Sequence, residues 1–121
     1  MNLIKLKRIY DPPEEDDGYR ILVDRLWPRG VSKEKANIDE WAKSVTPSTE
    51  TRKEFGHDPN LMEEFKRKYI YELDHNELSG EFVDHVRQKL EHVNVTLLYA
   101  AKSRIVNHAT ILKDWLEEQI S

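Results

Sequence analysis

Val93-Asn94-Val95-Thr96-Leu97-Leu98-Tyr99-Ala100-Ala101 decides the fold of this 121-residue chain. The run is apolar and rich in β-branched residues, and charged residues close in on both sides of it. A strand that is apolar at successive positions has no solvent face, which marks an interior strand of a parallel sheet covered on both sides. Helical spacing takes over on either side of the run. Downstream, a helix from about Asn107 to Gln119 buries Ala109, Leu112, Leu116 and Ile120. Upstream, Ser79 is expected to cap a helix with Phe82, Val83, Val86 and Leu90 inward. Before that, Asp58-Pro59 opens a helix whose inner face is Met62, Phe65, Tyr69 and Leu73, with aspartate capping and proline at the first helical position.

The first half of the chain supplies two more strands. Leu3 to Ile9 alternates apolar and polar residues with period two, and Tyr19 to Leu26 follows as a second strand. Between them Asp11-Pro12-Pro13-Glu14-Glu15-Asp16-Asp17-Gly18 is broken by prolines and carries an acidic run. Neighbouring carboxylates repel, so this segment reads as a solvated surface loop rather than a metal site. Ser32 to Ala36 forms a helical turn, and Ile38 to Val45 is ambiguous. Ser48 caps a short helix with Glu50 in its first turn, Arg52 and Lys53 near its end, and Gly56 closing it. Residues 1–121 are thus expected to form one small α/β domain, a few-stranded, partly parallel sheet packed with helices.

Composition excludes several kinds of function. Charged residues make up 35% of the chain and hydrophobic ones 38%, so most of the surface is solvated charge. Lys and Arg number 19 against 23 Asp and Glu, for a net charge of −4, which argues against wholesale binding of nucleic acid. The absence of cysteine removes disulfides and thiolate chemistry. His57, His75, His85 and His92 lack the paired spacing of a helical zinc site, and no metal is expected. Four glycines form neither a dinucleotide fingerprint nor a phosphate-binding glycine-lysine loop, so no nucleotide cofactor is expected in those modes. No stretch approaches the ~20 apolar residues of a membrane span, and the N-terminus lacks a signal core; a cytoplasmic protein is the default expectation.

Two strand ends carry polar clusters. Asp24, Arg25, Trp27 and Arg29 follow the second strand; Tyr99, Lys102, Ser103, Arg104, Asn107 and His108 lie between the apolar strand and the last helix. If the two strands are parallel neighbours, the clusters meet at one carboxyl edge, where open α/β sheets bind ligands. The N-terminus of the last helix would then favour an anion at the same spot. Arginine suits such a site because its planar fork donates two hydrogen bonds at once to phosphate or carboxylate. In this reading Asp24 and His108 are acid–base candidates, while Arg25, Arg29 and Lys102 hold a small anionic ligand. Trp27, Tyr99 and Asn107 join the binding set, and Arg8, Arg52 and His57 follow as residues that loops would bring close. Each has a plainer explanation: an Asp24–Arg25 ion pair, arginines tied to carbonyls, Trp27 and Tyr99 in the core, His108 bonded to a loop. The alternative function is a nucleic-acid or protein interaction module using Arg25, Arg29, Lys33 and Lys35 beside Trp27.

These residues also carry a family resemblance. Lys7-Arg8-Ile9-Tyr10-Asp11-Pro12, Asp17 to Gly30 with its Asp-Arg-Leu-Trp-Pro-Arg-Gly string, Asp39-Glu40-Trp41, Thr46 to Glu50, Phe55-Gly56-His57-Asp58-Pro59, Thr96 to Lys102 and Asn107-His108-Ala109 together resemble the YeaO-like branch of the domain-of-unknown-function 488 family. The resemblance implies a small single-domain α/β protein and brings no established activity. In the broader family the last strand is similar in ending with a cysteine-containing stretch, and a Cys-His-Arg motif opens the helix. Here Tyr99 and Asn107-His108-Ala109 stand at those places, which leaves His108 as the shared element and removes cysteine chemistry.

Overall fold

A computed structural model describes residues 2–121. Its sheet contains β1 (Ile4–Arg8), β2 (Tyr19–Leu22), β3 (Glu40–Trp41) and β4 (Val95–Tyr99), in the spatial order β1-β4-β2-β3. Every pairing is parallel, so the sheet is more uniform than the partly parallel one expected from the sequence. β4 sits between β1 and β2, and all five of its residues are buried. Among the described residues five α-helices complete the fold: α1 (Lys33–Ala36), α2 (Thr49–Phe55), α3 (Met62–His75), α4 (Ser79–Leu90) and α5 (His108–Ile120). None of them is long and apolar enough to cross a membrane.

Strand alternation divides the interior into two layers. Ile21 and Val23 of the β2 segment and Val95, Leu97 and Tyr99 of β4 face the larger core, where Phe65, Tyr69, Leu73, Val86, Leu112 and Leu116 pack against them. Leu22, Leu98 and Ile9 point the other way, into a smaller cluster with Ala36, Trp27 and Trp41. The helix boundaries follow local chemistry. Ser48 accepts from Thr51 N–H and Asn107 from Thr110 N–H, while Gly56 closes α2 at φ +53°. Asp58 accepts from Asn60 N–H, but at a 3-10 turn (Pro59–Leu61) that precedes α3, which itself starts at Met62 without a side-chain cap.

Four expectations need correction. The second strand stops at Leu22 rather than Leu26, because the Asp24 carboxylate accepts the Ala100 N–H at 3.0 Å in place of another ladder carbonyl. For the same reason β4 ends at Tyr99 rather than Ala101. Ser79 does not cap α4: it is the first helical residue, and its hydroxyl donates to the Leu73 carbonyl at 2.6 Å. The ambiguous stretch resolves into β3 and a 3-10 turn at Lys43–Val45.

The acidic segment is the fourth correction, because it is not wholly solvated. Asp17 is fully buried, with Arg20 Nη1 2.5 Å from one carboxylate oxygen and Lys7 Nζ 2.8 Å from the other. Arg20 also donates to the carbonyls of Ala36 and Asn37, so the guanidinium is satisfied on every side. Burial pushes the Asp17 carboxyl up, but Lys7, the Glu14 N–H and Arg20 together hold it below the usual carboxylate range. Glu14 and Asp16 approach the same spot, and Lys7 and Lys5 neutralise them at 2.7 and 3.1 Å. Gly18 makes the turn at φ +67°; a Cβ there would lie 2.1 Å from the Asn94 carbonyl oxygen, so the two backbones meet without room for a side chain.

Candidate functional site

The parallel β2–β4 pairing brings both polar clusters to one carboxyl edge. They border an open cavity of about 880 Å³ together with α2 and the loop that follows it. Asp24, Arg25, Arg52, His57, Lys102, Asn107 and His108, all singled out from the sequence, line it.

Asp24 and His108 form its floor. The His108 Nε2 lies 2.7 Å from the Val23 carbonyl oxygen, which can only accept, so that nitrogen carries the proton. Asp24 Oδ1 lies 3.1 Å from the same nitrogen, is buried, and makes no hydrogen bond of its own. Asp24 Oδ2 holds Ala100 N–H, and the Asp24 carbonyl accepts the Trp41 indole N–H at 2.7 Å. The aspartate thus links the ends of β2, β3 and β4.

The cationic wall comes from three segments. Arg25 is fixed by its Nε, which donates to the Pro47 carbonyl at 3.2 Å, leaving both terminal nitrogens without a partner among the described residues. α2 presents Arg52 and Lys53, and the β4–α5 loop presents Lys102. Among the described residues none of these four cations has a carboxylate within ion-pair distance, and Asp24 is the one carboxylate on the wall. The loop itself is well held. Ser103 Oγ accepts from Val106 N–H, Asn107 Nδ2 donates to the Ser103 carbonyl, and Arg104 grips Asp11 with two bonds of 2.8 and 3.0 Å. That grip is also what holds the Asp11 carboxyl below its usual range.

Sequence reading missed the residues that fix and line α2. Glu72 of α3 accepts from Ser48 N–H, Ser48 Oγ and Thr51 Oγ1 at 2.8, 2.8 and 2.6 Å, clamping the first turn of α2. At the other end of that helix Phe55 stacks on Phe65, ring centroids 4.1 Å apart and ring planes nearly parallel. Both rings border the cavity, as do Leu26 and Val106. His57 follows at φ +59°, a backbone conformation uncommon outside glycine. Alternate apolar residues at helical spacing signal burial, and nothing in that pattern distinguishes a ring facing the core from one facing a cavity.

Other candidates stand elsewhere. Arg8 donates to the carbonyls of Ala101 and Ala100 at 2.9 and 3.1 Å and packs over the Tyr10 ring, so it ties down the loop from outside. Trp27 packs edge-on against Trp41 in the smaller cluster and donates to the Val31 carbonyl at 2.7 Å. Arg29 is exposed, and its carbonyl accepts the Tyr10 hydroxyl. Tyr99 is buried in the larger core below the floor. None of these four lines the cavity.

The family model described as "Inactive DUF488-N3 subclade" matches residues 3–121. The Uncharacterized protein YeaO of Escherichia coli (strain K12) is 48% identical over 113 residues, covering 93% of this chain and 96% of that one. The Uncharacterized protein Rv3073c of Mycobacterium tuberculosis (strain ATCC 25618 / H37Rv) is 33% identical over 113 residues, covering 93% and 92%. No solved structure matches. The chain belongs to the YeaO-like domain-of-unknown-function 488 family, in the subclade described as inactive.

Proposed function

We propose that the cavity at the carboxyl edge of the sheet binds a small anion. The observation that carries this reading is the set of four cations, Arg25, Arg52, Lys53 and Lys102, that share one cavity and have no carboxylate partner among the described residues. Unpaired surface cations are common singly, but convergence of four around one concavity concentrates positive potential where a ligand would sit. The positive end of α5, with His108 as its first residue, adds to the same field.

Recognition without turnover fits better than catalysis. The family's description as an inactive subclade supports it. So does the disposition of Asp24, whose Oδ2 is committed to a backbone N–H and whose Oδ1, though it has no hydrogen bond among the described residues, is buried away from a ligand. In this reading Asp24 and His108 fix the floor rather than transfer protons. The interaction-module alternative loses its aromatic element, since the Trp27 ring and N–H are both engaged internally.

Calorimetric titration with inorganic phosphate and sulfate tests the reading. Binding is expected to survive moderate salt, and Arg25→Ala is expected to weaken it at least tenfold, about 1.4 kcal/mol. No binding, or binding unchanged in Arg25→Ala, overturns it. Tight binding confined to an oligonucleotide, falling steeply with salt through counterion release, would favour the interaction module instead.

A further inference from the structure

The size and lining of the cavity say more about its occupant than its charge does. A volume of about 880 Å³ lies near the upper end of sites that enclose drug-sized ligands, far beyond the needs of a five-atom oxyanion. Most of the wall is apolar: Leu26, Pro47, Phe55, Phe65 and Val106 contribute to it alongside the cations. Leu26 is 66% exposed at the mouth, a large aliphatic side chain held in water beside a charged site. An apolar surface next to clustered charge is the complement of a ligand with a charged head and an apolar body.

Charge count narrows the head group. Four permanent cations face one carboxylate. A carboxylate ligand brings one negative charge, whereas a phosphate monoester carries close to two at neutral pH, its second proton leaving near pH 6. Arg25 offers two unpartnered terminal nitrogens, a geometry suited to two phosphate oxygens at once.

From these observations, and resting on the anion-binding reading above, we infer that the cavity takes an organic phosphate monoester with an aromatic or aliphatic body. The phosphate meets Arg25, Arg52 and Lys102, and the body lies along Leu26, Phe55 and Val106. The inference concerns binding and includes no bond-making step.

Titration of the full chain with 1-naphthyl phosphate, 1-naphthoate and inorganic phosphate tests it at fixed pH and salt. Naphthyl phosphate is expected to bind at least tenfold more tightly than either of the others. Leu26→Ser, at an exposed position, and Val106→Ser, at a half-buried one, are expected to remove most of that advantage while leaving inorganic phosphate binding unchanged. Equal affinity for inorganic and naphthyl phosphate would overturn the inference and leave the anion site standing. Equal affinity for naphthoate and naphthyl phosphate would overturn the assignment of a dianionic head group. Failure of all three to bind would overturn the anion-binding reading itself.

Discussion

The two ends of the sheet treat charge in opposite ways. Near the amino ends of β2 and β4, Asp17 is buried between Lys7 and Arg20, and each of its carboxylate oxygens meets a cation. At the carboxyl ends, Arg25, Arg52, Lys53 and Lys102 surround a cavity that offers them one carboxylate, already hydrogen-bonded to backbone. Burial without a counter-charge is prohibitive, so the matched cluster reads as architecture. Partly exposed cations without partners cost the fold little and leave an electrostatic field for something else to neutralise. Charge density alone therefore distinguishes neither end; what differs is whether each charge is neutralised by a neighbour.

The comparison can be broken from either side. The largest effect is expected for Asp17→Asn, which strands Arg20 in the interior and should cost about 3–5 kcal/mol in denaturant unfolding while leaving anion affinity unchanged at equal folded fraction. A cost below about 1 kcal/mol would mean that the matched end is no more structural than the other. Acidification probes the same network less drastically. The Asp17 carboxyl is held below its ordinary value of 3.8, so its contribution is fully present above that pH and disappears as pH falls through the lower folded value. Unfolding curves between pH 6 and pH 2 should show this loss, and Asp17→Asn should flatten the acid limb. The smallest effect on the fold is expected at the unmatched end. Arg52→Ala should change stability by no more than about 0.5 kcal/mol, yet weaken phosphate binding severalfold. A large loss of stability there would make Arg52 a structural tie and blur the contrast.

Local chemistry was legible in the sequence, and long-range pairing was not. Ser48, Gly56 and Asp58 make the local turns and caps their side chains or backbone freedom allow, because a cap is decided within four residues. Ser79 has the same chemistry, but the Leu73 carbonyl of the preceding helix claims its hydroxyl. Asp17 belongs to an acidic run that reads as solvated, and only the fold brings Lys7 and Arg20 to it. The site follows the same division. Asp24, Arg25, Lys102 and His108 were recognisable from their positions after two apolar strands, and the parallel β2–β4 pairing put them on one cavity. Trp27 and Arg8 belong to the same motifs but turn to other tasks, since a motif fixes neighbours along the chain and not the direction each side chain takes.

The position of β4 also governs how the chain can assemble. β1 and β2 are synthesised early, yet they do not pair; β4 stands between them, and Ile4 pairs with Val95. Until that late segment leaves the ribosome, the first two strands have open edges, and only the two-residue β2–β3 pairing can form within the sheet. Sheets closed by contacts so distant in sequence fold slowly and expose their strands to other chains meanwhile. The strand that joins the two polar clusters across the sheet is thus also the last piece of the sheet, and the cavity comes into being only when the fold itself does.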